Sequence, residues 1–182
     1  MSMDKSSRTY RFVPVDIYTS GYRVVGKIMV ANAGVIGVMN DSTNSTLEVH
    51  DARLAKVHMP TKLVDHFDLV RMVKKRIVAI CLSRVEDLGP KSLTRGGFGS
   101  TAEYPVSITT QVYEVEGTLE LTGRFDFQGL MYEGTREFIA AYNATLTAVL
   151  IPNVRVESPA ILVNRHHADI VALLSQRTKD EK

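Results

Sequence analysis

The chain has 182 residues, 45% of them apolar and 23% charged, with a formal net charge of +2. That composition excludes an intrinsically disordered chain and leaves room for one ordinary domain or two small ones. No apolar run approaches the roughly 20 residues of a membrane helix, and the lone cysteine, Cys81, excludes an internal disulfide.

The N-terminal stretch MSMDKSSRTY has no apolar signal core, so the expected location is the cytoplasm. Polar tails cover residues 1–9 and 177–182. The first element is β-rich: YRVVGKIMV alternates, placing Tyr22, Val24, Gly26, Ile28 and Val30 on an inward face. Gly26 in mid-strand predicts a bulge or a close backbone approach. AGVIGVMND (33–41) allows one or two helical turns. STLEVHDARLAKV reads as a second strand closed by Pro60. The apolar runs LV and IVAI, split by polar residues, read as two strands joined by a tight turn, or one strongly bent strand. Cys81 lies in IVAICL, where a buried, inert thiol is expected. Ser83 to Glu103 reads as a solvated linker, with Gly-Pro and Gly-Gly as breakers; its RGGFG faintly resembles an RNA-binding glycine-arginine segment.

The remainder repeats this order. YEVEGTLEL places Tyr113, Val115, Gly117, Leu119 and Leu121 inward, and Glu114, Glu116 and Glu120 outward on a solvated face. GRFDFQGLMYEG again allows short helical turns, and EFIAAYNATLTAV is again a strand, closed by Pro152. FVPVDIYTSGYRVVGKI lies on EYPVSITTQVYEVEGTL at an offset of 91, which matches Pro14 with Pro105 and Gly26 with Gly117. At 92, Asp51 and Ala52 meet Asn143 and Ala144; at 93, LVRMVKKRIVAIC lies on LVNRHHADIVALL. The expected fold is all-β or β-rich α+β: an internal duplication of a small β-barrel or β-sheet module. The copies span 10–85 and 104–176, joined by a linker over 86–103. Modules of this size are marginal alone, so a shared core with pseudo-two-fold symmetry is expected.

His166 and His167 raise the question of a metal or catalytic centre. In the offset-93 register they match Val73 and Lys74, neither a ligand, while Asn164 and Arg165 match Arg71 and Met72. Adjacent strand residues also point to opposite faces. His50, His58 and His66 stand at no known ligand spacing. No nucleophile elbow, phosphate loop or HExxH run occurs. The expectation is no catalytic residue, no metal, no cofactor and no enzyme, with turn histidines at a hairpin tip.

VEGTLEL, GRFDFQGLM, EFIAAYNATLTAV and ILVNRHHADIVAL together resemble an uncharacterised bacterial family of small β-rich domains with a Val-Asn-Arg…His-Ile-Val hairpin. The family has no settled activity, so the resemblance implies a fold. VEGTL and the tight polar turn of VNRHHADIV also resemble Sm-like barrels among the SH3-like folds. That resemblance implies that Asn164, Arg165 and His166 lie near an RNA-facing turn.

The first copy carries 11 Lys/Arg against 6 Asp/Glu, a surplus of +5, and the second 4 against 8, a deficit of −4. Opposite charge on related modules favours association, within the chain or head-to-tail between chains as a homo-oligomer. The basic copy alone suits nucleic acid, with Lys62, Arg71, Lys74, Lys75 and Arg76 as its patch. Asn164, Arg165, His166 and His167 complete the candidate contacts; Gly26, Gly117, Asp51 and Asn143 are candidate structural positions. The leading expectation is an interaction and assembly protein without membrane insertion; the alternative is an Sm-like nucleic-acid binder.

Overall fold

Alternating β-branched and polar residues build hairpins. In the computed structural model, which describes residues 9–95 and 99–174, Arg11–Thr19 (β1) and Tyr22–Val30 (β2) pair antiparallel. Val13, Val15 and Ile17 of β1 and Val24, Ile28 and Val30 of β2 are buried. A two-turn helix, Gly34–Met39 (α1), leads into Thr46–Lys56 (β3) and Asp65–Val73 (β4). A 3-10 turn, Lys74–Arg76, reverses the chain into Ile77–Leu82 (β5). Past Lys91–Arg95 (α2), the order recurs: Thr101–Thr110 (β6), Tyr113–Thr122 (β7), Phe127–Tyr132 (α3), Phe138–Ala148 (β8) and Arg155–Asn164 (β9). A second 3-10 turn, Arg165–His167, leads into Ala168–Leu173 (β10). The fold is β-rich, as expected.

The ten strands of the described residues form one sheet in the order β10-β6-β7-β8-β9-β5-β1-β2-β3-β4. Each half therefore has its fifth strand outside its first and its fourth strand at the other end. The halves join where the fourth strand of the second half, β9, pairs antiparallel with the fifth strand of the first, β5. The expected pseudo-two-fold is corrected here. Two-fold packing sets like against like, whereas this junction joins unlike strands and is head-to-tail.

The last block of the sequence match also shifts. Leu82 pairs with Val15, and Leu173 with Val106, so β5 and β10 correspond at an offset of 91, not 93. The turns correspond at the same offset, which sets His166 against Lys75 and His167 against Arg76. A slip of two residues keeps every side chain on its own face, so the apolar pattern cannot detect it.

Gly26 and Gly117 sit at register shifts where β2 meets β3 and β7 meets β8. A Cβ on Gly26 would lie 2.8 Å from the His50 carbonyl oxygen, and one on Gly117 would lie 3.0 Å from that of Tyr142. Asp51 and Asn143 complete the two bulges with φ of 49° and 45°, a left-handed conformation that Asp and Asn tolerate better than most residues. Tyr22, expected inward, is 48% exposed at the first position of β2.

The halves do not have separate interiors. Ile77, Ile80 and Leu82 of β5 join one buried cluster, to which the second half adds Phe138, Ala140, Tyr142, Ala160 and Leu162. Val78, Ala79 and Cys81 face the other cluster, with Ile161 and Val163 of β9. Burial pushes the Cys81 thiol well above its ordinary pKa, aided by nearby Asp16, so it stays protonated. Part of the segment expected to be a solvated linker folds back: Leu88 is 1% exposed, its carbonyl accepts from the Ile36 N–H at 2.9 Å, and buried Asp87 pairs with Arg11 and Arg84. Residues 96–98 of RGGFG lie outside the described residues, as do the tails apart from Thr9.

Candidate functional site

The two 3-10 turns stand side by side, because β9 and β5 are neighbours. Asn164 links them: its Nδ2 donates to the Ile77 carbonyl at 2.9 Å, and its Oδ1 accepts from the His166 N–H at 3.1 Å. His167 Nε2 lies 2.8 Å from the Lys75 carbonyl oxygen.

The first residue of each turn is a buried cation turned inward. Lys74 Nζ donates to the carbonyls of Val38 and Asp41 at 2.6 and 3.0 Å. Arg165 donates to those of Leu130, Glu133 and Gly134 at 3.3, 2.6 and 3.0 Å. In both halves a cation thus satisfies carbonyls at or just beyond the end of the short helix, where the helix leaves them without partners. Burial pulls the Lys74 pKa down from its ordinary value.

Of the candidate contacts, Lys74, Asn164 and Arg165 are therefore buried and committed, while Lys75, Arg76 and His166 are exposed and His167 is half-buried. Among the described residues neither Lys75 nor Arg76 has an ion-pair partner. Arg71 pairs with Glu48 at 2.9 Å on the β3–β4 edge, and Lys62 is exposed in the loop after β3. Glu120 is held by Arg95 at 2.6 Å, while Glu114 and Glu116 are exposed. Among the described residues no three His, Cys, Asp or Glu converge as metal ligands.

The ends of the sheet are the second feature. β5 is buried along its whole length, and β9 from Ala160 to Asn164. Their counterparts at the sheet ends, β10 and β4, are open. Ile170 and Leu173 are 59% and 52% exposed on β10, and Phe67, Leu69 and Val73 are 45%, 40% and 51% exposed on β4. Among the described residues each edge also carries a row of backbone N–H and C=O groups without a neighbouring strand.

Comparison of the chain with protein-family models, with curated proteins and with solved structures returns no match.

Sequence reasoning pointed to the turns and passed over the edges. The signal was present: the fifth strand of one half is wholly apolar as IVAICL and that of the other is equally free of cations as ADIVAL, yet only one of the two lies inside the sheet.

Proposed function

We propose that this chain is a non-enzymatic assembly protein. It consists of two fused copies of one small β module, and it associates with further copies of itself through the ends of its sheet. Support for the duplication comes from the shared strand order, the matched bulges at Gly26 and Gly117, and the matched inward cations Lys74 and Arg165. One observation carries the self-association. Among the described residues two edge strands stand open, with Phe67, Leu69, Val73, Ile170 and Leu173 exposed, and their counterparts, inside the same sheet, are covered by pairing with each other. Long apolar edges are templates for strand addition. Light scattering across a concentration series tests this. The weight-average mass is expected to climb above 20.2 kDa as concentration rises. A constant single-chain mass up to high concentration overturns the reading.

A second reading is favoured by the neighbouring turns, which present Lys75, Arg76 and His166 together. It makes this end of the sheet a nucleic-acid contact, in keeping with the Sm-like resemblance. Filter binding with single-stranded RNA at several salt concentrations distinguishes it. Replacing Lys75 and Arg76 with alanine should flatten the slope of log affinity against log salt by about 1.4, the loss of two phosphate contacts. Absence of salt-sensitive binding by the unaltered protein ends this reading.

A further inference from the structure

Self-association through the sheet ends has a template inside the molecule, because the β5·β9 junction already joins a fifth strand to a fourth strand. Within the chain, Ala79 pairs with Val163, Ile80 with Leu162, Cys81 with Ile161 and Leu82 with Ala160. The counterparts of these residues, 91 positions away, all lie on the two open edges. We infer that β10 of one copy seats antiparallel on β4 of the next, with Ile170 opposite Met72, Val171 opposite Arg71, Ala172 opposite Val70 and Leu173 opposite Leu69. This register rests on the self-association reading and deepens it.

Residues flanking the inner junction obey the same correspondence. Tyr113 is fully buried, its hydroxyl donating to the Thr19 carbonyl at 2.7 Å across the junction. Its counterpart Tyr22 is 48% exposed, and in the assembled register it faces Thr110 of the neighbour, the counterpart of Thr19. Met39, the last residue of α1, is 1% exposed, whereas Tyr132, the last residue of α3, is 74% exposed. Asn40, which follows α1, accepts through Oδ1 from the N–H groups of Glu137 and Phe138, both at 2.8 Å. Glu133 follows α3 in the same way, and its carboxylate is an acceptor for the Ser45 N–H of the next copy, since the Thr46 N–H already donates to Asn44 Oδ1 at 3.1 Å. At each of these places a covered residue within the chain has an aromatic or acceptor counterpart standing open at the end of the sheet.

The outer junction is the more polar of the two. Arg71 takes the place of Leu162, and its partner Glu48 the place of Ala140. Burying an ion pair returns less than burying a leucine, so contact between chains is weaker than contact within one, and assembly is reversible. An interface of unlike strands closes into a ring if the rotation per copy permits and otherwise runs on as a filament.

Mixed single-cysteine variants test the register in the full chain. Leu173→Cys is mixed with Leu69→Cys in one tube and with Phe67→Cys in another, under mild oxidation. All three positions are exposed, and the native Cys81 is buried. Directly opposite Cβ atoms lie about 5 Å apart and those two residues along at about 7–8 Å, beyond disulfide reach, so the first mixture should give roughly tenfold more covalent dimer. Equal or greater yield with Phe67→Cys, in samples that light scattering shows to be associated, overturns the register and leaves self-association standing. No cross-link in either mixture, with single-chain mass throughout, removes both.

Discussion

Replacing Leu162 by alanine is expected to destabilise the protein by roughly 2–5 kcal/mol and to loosen both halves together. Leu162 is fully buried on β9, in the second half of the chain, yet its side chain belongs to the cluster built around β1, β2, α1 and β5 of the first half. It lies opposite Ile80 across the junction and opposite Ala140 on its other side. Truncation there opens a cavity lined from both halves, and close-packed β strands relax little into such a space. Urea denaturation should show one transition at a lower midpoint. Hydrogen exchange should accelerate in β1 and β5 as well as in β8 and β9. Two separate transitions, with the first half unchanged, would mean that the halves are independent and the junction merely a contact.

Valine at Gly26 is expected to cost about 3 kcal/mol, at the upper end of the usual overpacking penalty, and the same substitution at Gly117 a similar amount. At Gly26 the new Cβ would lie 2.6 Å from Val49 Cγ1 and 2.8 Å from the His50 carbonyl oxygen, within van der Waals contact distance of both. The Val49 side chain can turn aside; the carbonyl is fixed by the bulge that Asp51 completes with its positive φ. Relief therefore requires the β2–β3 bulge to open, which returns the strand to straight pairing and unbends the sheet. Thermal unfolding compared with an exposed control such as Lys27→Val checks this. A loss no larger than the control's would show that the bulge is a tolerant feature and not a fixed one.

Strands β2, β3, β7 and β8 and the short helices α1 and α3 were legible because their signals are local, whereas β1 and β6 were not set apart as strands and α2 lay within the expected linker. YEVEGTLEL alternates cleanly, and Gly26 and Gly117 mark the two bulges. The register of the last hairpin was not legible: sliding β10 against β5 by two residues keeps every side chain on its own face and even brings Ile-Val-Ala onto Ile-Val-Ala, and only pairing with β1 and β6 fixes the true offset. The roles of Lys74 and Arg165 were hidden for a different reason. A cation beside Lys75 or His166 in sequence looks like part of a basic tip, and only the 3-10 turn sends one of each group inward to the helix carbonyls. The head-to-tail order of the halves was also out of reach. Pseudo-two-fold and head-to-tail pairs place the same apolar residues inside; they differ in which strands adjoin, and this is set by the β5·β9 pairing over a long span of chain.

Electron microscopy of the purified protein at high concentration addresses the core claim most directly: that one head-to-tail joint, seen once inside the chain, is used again between chains. The account predicts rings or filaments in which the spacing between modules is uniform, so that joints within and between chains look alike. A field of isolated two-module particles, or dimers joined by like strands across a two-fold axis, would contradict it.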